Sequence, residues 1–217
     1  MLHFAPVFAV LGGVLMIFAL TMAVPLAFAF LGHDAALSAY DGAIAITFVC
    51  GALLFFSLRK RGQRELQPRD GFLLVTLVWS VLPAFGALPL MFQIQGLSFT
   101  DAYFEAVSGL TTTGATVLTG LDNLPLSINV WRCFMVLIGG MGILVLAVAI
   151  LPLLGVGGSQ IFKAETPGPM KDDKLTPRIA ETARGLWTVY FFLATLCFFS
   201  YRIAGMGWTD AFMHMCS

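Results

Sequence analysis

The chain has 217 residues, of which 59% are apolar and 11% charged, with twelve Lys and Arg against twelve Asp and Glu. A soluble domain carries about 45–50% apolar and about 25% charged residues, so composition excludes a soluble globule; four Cys are too sparse for a disulfide scaffold. A balanced net charge speaks against a nucleic-acid partner, which needs a basic surface, and what remains is a multi-pass membrane protein.

Residues 4–31 carry no Lys, Arg, Asp or Glu, and a span about 4–30 follows, since about 20 apolar residues cross a bilayer. Ala27-Phe28-Ala29 imitates a signal-peptidase site, but no Lys or Arg precedes the run and its length exceeds that of a signal peptide's apolar core. Further spans are expected at 41–58, 72–94, 132–155 and 185–204. Loop 59–71 holds Arg59, Lys60, Arg61, Arg64 and Arg69. Segment 156–184 holds Lys163, Lys171, Lys174, Arg178 and Arg184, whereas 32–40 and 95–131 hold no Lys or Arg. Positive charge collects on cytoplasmic loops, which puts the N-terminus inside and 95–131 outside. Arg132 and Arg202 fall near outer helix ends, where long side chains snorkel.

Segment 95–131 has both ends outside and an apolar middle. Ser98-x-x-Asp101 reads as a capping box opening a helix over 100–109. Ten residues at 1.5 Å each give about 15 Å, half the hydrocarbon thickness, so the helix enters and turns back. The turn, Thr111-Thr112-Thr113-Gly114-Ala115-Thr116, has no charged side chain. Irregular backbone at such depth survives only inside protein or along a watery cavity, and its carbonyls and hydroxyls suit a dehydrated monovalent cation. Gly114 is free to adopt positive φ. The helix C-terminus, with its partial negative charge, points inward. Asp101, Glu105 and Asp122 form an outer vestibule that concentrates cations. The bland alternative is an interfacial helix with a Thr-rich surface loop.

Gly96-Leu97-Ser98-Phe99-Thr100-Asp101-Ala102-Tyr103 recurs 109 residues later as Gly205-Met206-Gly207-Trp208-Thr209-Asp210-Ala211-Phe212. Each copy follows a predicted span. The repeating unit is outer helix, half-helix, filter strand, inner helix, and the chain carries one complete unit with the first half of another. The organisation expected is residues 1–71 with two leading spans and a basic loop, 72–155 the complete unit, 156–184 a cytoplasmic linker, and 185–217 the incomplete unit. The fold class is all-α membrane protein with five transmembrane helices and re-entrant pore helices.

Within the predicted fourth span, Gly139, Gly140 and Gly142 offer either close packing against the pore helix or a hinge. Cys50, Cys133, Cys197 and Cys216 lack metal spacing and read as packing residues; His3, His33 and His214 are isolated. Gly155-Val156-Gly157-Gly158-Ser159 lacks the Lys-Ser/Thr of a phosphate loop. No nucleophile triad, metal cluster or paired intramembrane carboxylate points to an enzyme. A non-transporting membrane scaffold stays open as the alternative function.

The run Tyr103-Phe104-Glu105-Ala106-Val107-Ser108-Gly109-Leu110-Thr111-Thr112-Thr113-Gly114-Ala115 resembles the first pore loop of the Trk/Ktr/HKT potassium transporters. Glu165-Thr166-Pro167-Gly168 and Asp173-Lys174-Leu175-Thr176-Pro177-Arg178-Ile179-Ala180-Glu181-Thr182-Ala183 resemble the cytoplasmic stretch of its Trk-type bacterial potassium uptake proteins. The Gly139-Gly140-Met141-Gly142 helix and the two leading spans fit the same branch. The resemblance implies four such units around one pore, with potassium bound by carbonyls of Thr112, Thr113 and Gly114 in a filter running from Thr111 to Ala115. It also implies potassium as substrate with no covalent cofactor, a bacterial inner-membrane location among lipid, a homodimer, and a TrkA-like cytoplasmic nucleotide-binding regulatory subunit that meets 163–181. Members of that family are longer, so the chain is expected to be an N-terminal fragment or truncated form. Alone it would supply one side of a filter ring and would not conduct selectively.

Overall fold

The computed structural model describes residues 4–59, 68–150 and 175–217. Among them are nine α-helices and one 3-10 turn, Leu121–Asn123, and no strand. The helices are α1 (Ala5–Thr21), α2 (Ala23–Gly32), α3 (Leu37–Arg59), α4 (Pro68–Gly86), α5 (Leu88–Gln93), α6 (Phe99–Leu110), α7 (Leu126–Ile150), α8 (Leu175–Ile203) and α9 (Trp208–Cys216). Five stretches are long and apolar enough to cross a membrane: Ala5–Gly32, Leu37–Arg59, Arg69–Gln93, Leu126–Leu146 and Glu181–Ile203. The turn 155–159 and the basic segment 163–174 lie outside the described residues.

Two of the predicted spans are not single helices. The first breaks at Met22 and the third at Ala87, and each break precedes a proline. Pro25 has no N–H to give the Thr21 carbonyl and Pro89 none to give Phe85, while each ring crowds that carbonyl. At the first break the Thr21 hydroxyl turns back to the Phe18 carbonyl at 2.7 Å. At the second, the Gly86 carbonyl accepts the indole N–H of Trp131 at 2.9 Å. Trp131 is fully buried, with its ring 5.7 Å from that of Phe18, so α7 is anchored where α4 gives way to α5.

The described residues fall into two compact units, one extending to Val136 and the other Leu137–Cys216. In the first, α1 packs along α3 and α4, and α4 along α6. The α1–α3 crossing is made by backbone. A Cβ at Gly12 would lie 2.6 Å from the Gly51 carbonyl oxygen and 2.7 Å from the Phe55 nitrogen, and a Cβ at Gly51 would lie 2.8 Å from the Gly12 carbonyl. Small residues at such contacts let helices approach in lipid, where burial of apolar surface supplies no net drive. Gly12→Val is therefore expected to cost about 3 kcal/mol, the upper end for an overpacked core. Thermal unfolding of the detergent-solubilised protein checks this, and an unchanged midpoint would refute it.

Asp34 fastens the start of α3 to the start of α7. Its Oδ1 accepts the Ala36 N–H at 3.0 Å ahead of α3, and its Oδ2 accepts the Ser127 N–H at 3.0 Å in the first turn of α7. An anion is favoured at a helix N-terminus. Buried Tyr40 adds a hydrogen bond to the Ser127 carbonyl at 2.8 Å. In the second unit, α8 leads into α9 through a turn at Gly205, whose φ is +97°.

Candidate functional site

The predicted half-helix is α6, twelve residues long. Its start is as read from the sequence: the Asp101 N–H donates to Ser98 Oγ at 3.1 Å, and the Ser98 hydroxyl donates to Asp101 Oδ2 at 2.8 Å. Tyr103 ties the helix to α4 through the Ser80 carbonyl at 3.0 Å. Against α7 the backbones nearly touch, since a Cβ at Gly109 would stand 3.1 Å from Met135 Cβ.

The C-terminus of α6 closes on itself. The Thr112 N–H donates to the Gly109 carbonyl and the Thr113 N–H to the Ser108 carbonyl, both at 2.9 Å. This is the Schellman pattern, which places one residue in the left-handed region. That residue is Thr112, with φ +56°, where glycine is usual. The Thr111 hydroxyl donates to the Val107 carbonyl at 2.7 Å. Its single proton is then spent, so in the 2.8 Å contact with Thr113 the Thr113 hydroxyl donates. Gly114 follows with φ +75°, as expected from sequence, and Thr112 through Val117 are exposed.

Beyond Gly114 the strand is pinned back onto α6. The Ser108 hydroxyl donates to the Ala115 carbonyl at 2.6 Å, so Ala115 spends its carbonyl inside the protein. Glu105 Oε1 accepts three hydrogen bonds, from the Thr116 hydroxyl at 2.5 Å and from the N–H groups of Val117 at 2.7 Å and Leu118 at 3.2 Å. Glu105 Oε2 accepts Arg132 Nε at 3.1 Å, and Arg132 Nη2 donates to the Thr116 hydroxyl oxygen at 3.1 Å. Further along, Asn129 Nδ2 holds the Leu121 carbonyl at 2.8 Å.

This geometry corrects two readings. Glu105 is no part of an outer vestibule: it is 3% exposed, and its charge is balanced by Arg132 rather than offered to solvent. Arg132 does not snorkel, because its Nε is committed to that carboxylate. Of the three outer carboxylates, Asp122 is exposed and Asp101 half-buried at the helix start. Sequence reasoning missed Ser108 and Arg132 as parts of the site, and it read Thr116 only as part of the turn. One signal was available: a carboxylate in a membrane-depth helix calls for a partner, and Arg132 is the next base in the chain.

In the second unit, α9 repeats the plan with other chemistry. Arg202 lies over the Trp208 ring at 4.2 Å and donates to the Met206 carbonyl, so it too stays with its loop rather than snorkelling. At the register of Glu105 stands His214. Its Nδ1 lies 2.9 Å from the Asp210 carbonyl and must carry the proton, since a carbonyl only accepts. At Gly140 a Cβ would lie 2.7 Å from the Tyr190 hydroxyl, so this glycine makes room for α8. Gly139 is buried and Gly142 half-buried in the same helix.

Five bilayer-length apolar stretches, a half-length helix turning at Thr112–Gly114 and a second copy of that helix define a multi-pass helical membrane protein built on pore-helix repeats. The family model described as TrkH, cation transport protein, matches residues 38–215, and the chain belongs to that family. It is 52% identical over 206 residues to the Trk system potassium uptake protein TrkH of Halomonas elongata, covering 94% of this chain and 42% of that one. To the TrkH protein of Escherichia coli K12 it is 46% identical over 214 residues, covering 98% and 44%. The crystal structure of the potassium transporter TrkH from Vibrio parahaemolyticus superposes with a TM-score of 0.84 at 42% identity, covering 99% of this chain and 42% of that one. The chain thus spans less than half the length of the relatives it matches.

Proposed function

We propose that this chain forms part of a potassium-uptake permease of the bacterial inner membrane, with its N-terminus in the cytoplasm. Residues 72–155 act as one pore repeat and 185–217 as the opening of a second. The backbone carbonyls of Thr112, Thr113 and Gly114 replace part of the hydration shell of a potassium ion. A bare cation in hydrocarbon costs tens of kcal/mol, and carbonyl dipoles offset that cost when their number and spacing suit the ion. The observation that carries the reading is the strand itself, fixed by hydrogen bonds on both sides of a positive-φ glycine at the end of a helix too short to cross. Ala115 frames the filter without facing the ion, because its carbonyl already accepts the Ser108 hydroxyl, and the Thr111 hydroxyl is turned back onto α6. Asp101 and Asp122 remain as the outer charges that attract cations. The names of the relatives support potassium as the ion, and the homodimer and the TrkA-like regulatory subunit are the assembly that the family resemblance implies.

The test is complementation of a strain lacking potassium uptake by the full-length gene that contains this sequence. Growth at micromolar potassium, with rubidium uptake exceeding sodium uptake, is the expected result. Absence of rescue with the protein present in the membrane would overturn the reading.

A further inference from the structure

We infer that Glu105 is a positioning residue for ion discrimination, which sets where the filter carbonyls stand and is itself held by Arg132 of the inner helix. The inference rests on the reading of Thr112–Gly114 as ion-facing and goes beyond it by naming what holds them in place. Among the described residues packing does not: a Cβ at Gly114 would meet nothing within 4 Å, and a cavity of about 120 Å3 bordered by Glu105, Ser108, Gly114, Arg132 and Cys133 adjoins the strand. Within this repeat the backbone is therefore located by its hydrogen bonds. On the helix side these are the two Schellman bonds of Thr112 and Thr113. On the far side they come from Ser108 and Glu105, one turn apart on α6, which take Ala115, Thr116, Val117 and Leu118. Gly114 sits between two fixed points, and moving the far one moves its carbonyl.

Glu105 is suited to this as a carboxylate and as nothing else. Three donors converge on Oε1 and a fourth reaches Oε2, and an ionised carboxylate is acceptor-only. A glutamine presents one oxygen and one NH2. Turned to keep the strand, its NH2 confronts the Arg132 guanidinium; turned to keep Arg132, it confronts the Val117 and Leu118 N–H groups. Neither orientation preserves the clamp. The Arg132 Nε–Oε2 bond also makes the strand's position depend on α7, the helix that follows it in the repeat.

The experiment uses the full-length transporter in proteoliposomes and reads the ratio of rubidium to sodium uptake. Glu105→Gln is expected to lower that ratio about tenfold, chiefly by raising sodium entry. Glu105→Asp, which keeps the charge, should recover part of it. Thr116→Val removes one donor and leaves the ion pair standing. It is expected to lower the ratio about threefold, and it serves as the readout should Glu105→Gln fail to fold. An unchanged ratio in Thr116→Val and in folded Glu105→Gln, with uptake of both ions falling in parallel, would overturn the inference. Gly114→Ser is run alongside: if it shifts the ratio while the others do not, the filter reading stands and the positioning role falls. If none of the three shifts it, the filter reading falls as well.

Discussion

Arg132→Met is expected to destabilise the protein by about 3–5 kcal/mol, because it strands the buried Glu105 carboxylate without its counter-charge. The glutamate side chain is 2% exposed and that of the arginine 17%, so solvent compensates the carboxylate poorly for the loss of the guanidinium. The same change removes the Nη2 bond to Thr116. Three donors still face Oε1, but a carboxylate at membrane depth is costly when left unbalanced. The double variant Arg132→Met with Glu105→Gln removes both charges and should recover more than half of the loss, since a buried pair contributes far less than the cost of breaking it. Thermal unfolding in detergent measures both. Strictly additive losses in the double variant would show that the two side chains do not act as a pair.

The second large effect is expected at Gly114. Serine fits sterically, since an added Cβ has open space around it. It does not fit conformationally. At φ +75° an L-residue carries a penalty of about 1–2 kcal/mol, which the chain relieves by rotating the peptide and with it the carbonyl. About 1.4 kcal/mol is a factor of ten in an equilibrium, so Gly114→Ser should cut potassium-over-sodium discrimination roughly tenfold while leaving the thermal midpoint within a few degrees. Discrimination equal to that of the unmodified transporter would remove Gly114 from the filter. Thr112 pays a similar penalty already, but there the Schellman bonds hold the residue in place.

The parts of this fold legible in the sequence are those that depend on composition over many residues. Each of the five spans was expected from an uncharged run, and each occurs within a few residues of its expected ends, apart from α7, which starts six residues before the predicted fourth span and whose predicted end lies outside the described residues, and α8, which starts ten residues earlier than the predicted fifth span. The half-helix and its Ser98 cap were legible because length against bilayer thickness and the Ser-x-x-Asp spacing are local arguments. The breaks at Met22 and Ala87 are also local; Pro25 and Pro89 were there to be read, but uninterrupted hydrophobicity outweighed them. The Glu105–Arg132 pair was beyond pattern reasoning, because 27 residues and a reversal of direction separate the partners and no periodicity links them. The same applies to Gly140 and Tyr190. Thr112 escaped for the opposite reason: left-handed residues are sought at glycine, and here the hydrogen-bond closure of a helix end imposes that conformation on a β-branched residue.

His214 at the register of Glu105 has a consequence for how such a pore varies. The two repeats share a helix, a preceding turn and a Thr-Asp-Ala signature, yet a carboxylate that gathers four donors has for its counterpart an imidazole with one nitrogen already engaged. On the proposed reading of the repeats as pore sectors, the first is propped by an anion, and an imidazole in the second cannot prop in the same way. In a channel assembled from identical subunits a codon change alters every sector at once, and each prop must suit all positions. Repeats fused in one chain are released from that constraint: each sector can acquire its own support, and a loss in one can be offset in another without any change of fold.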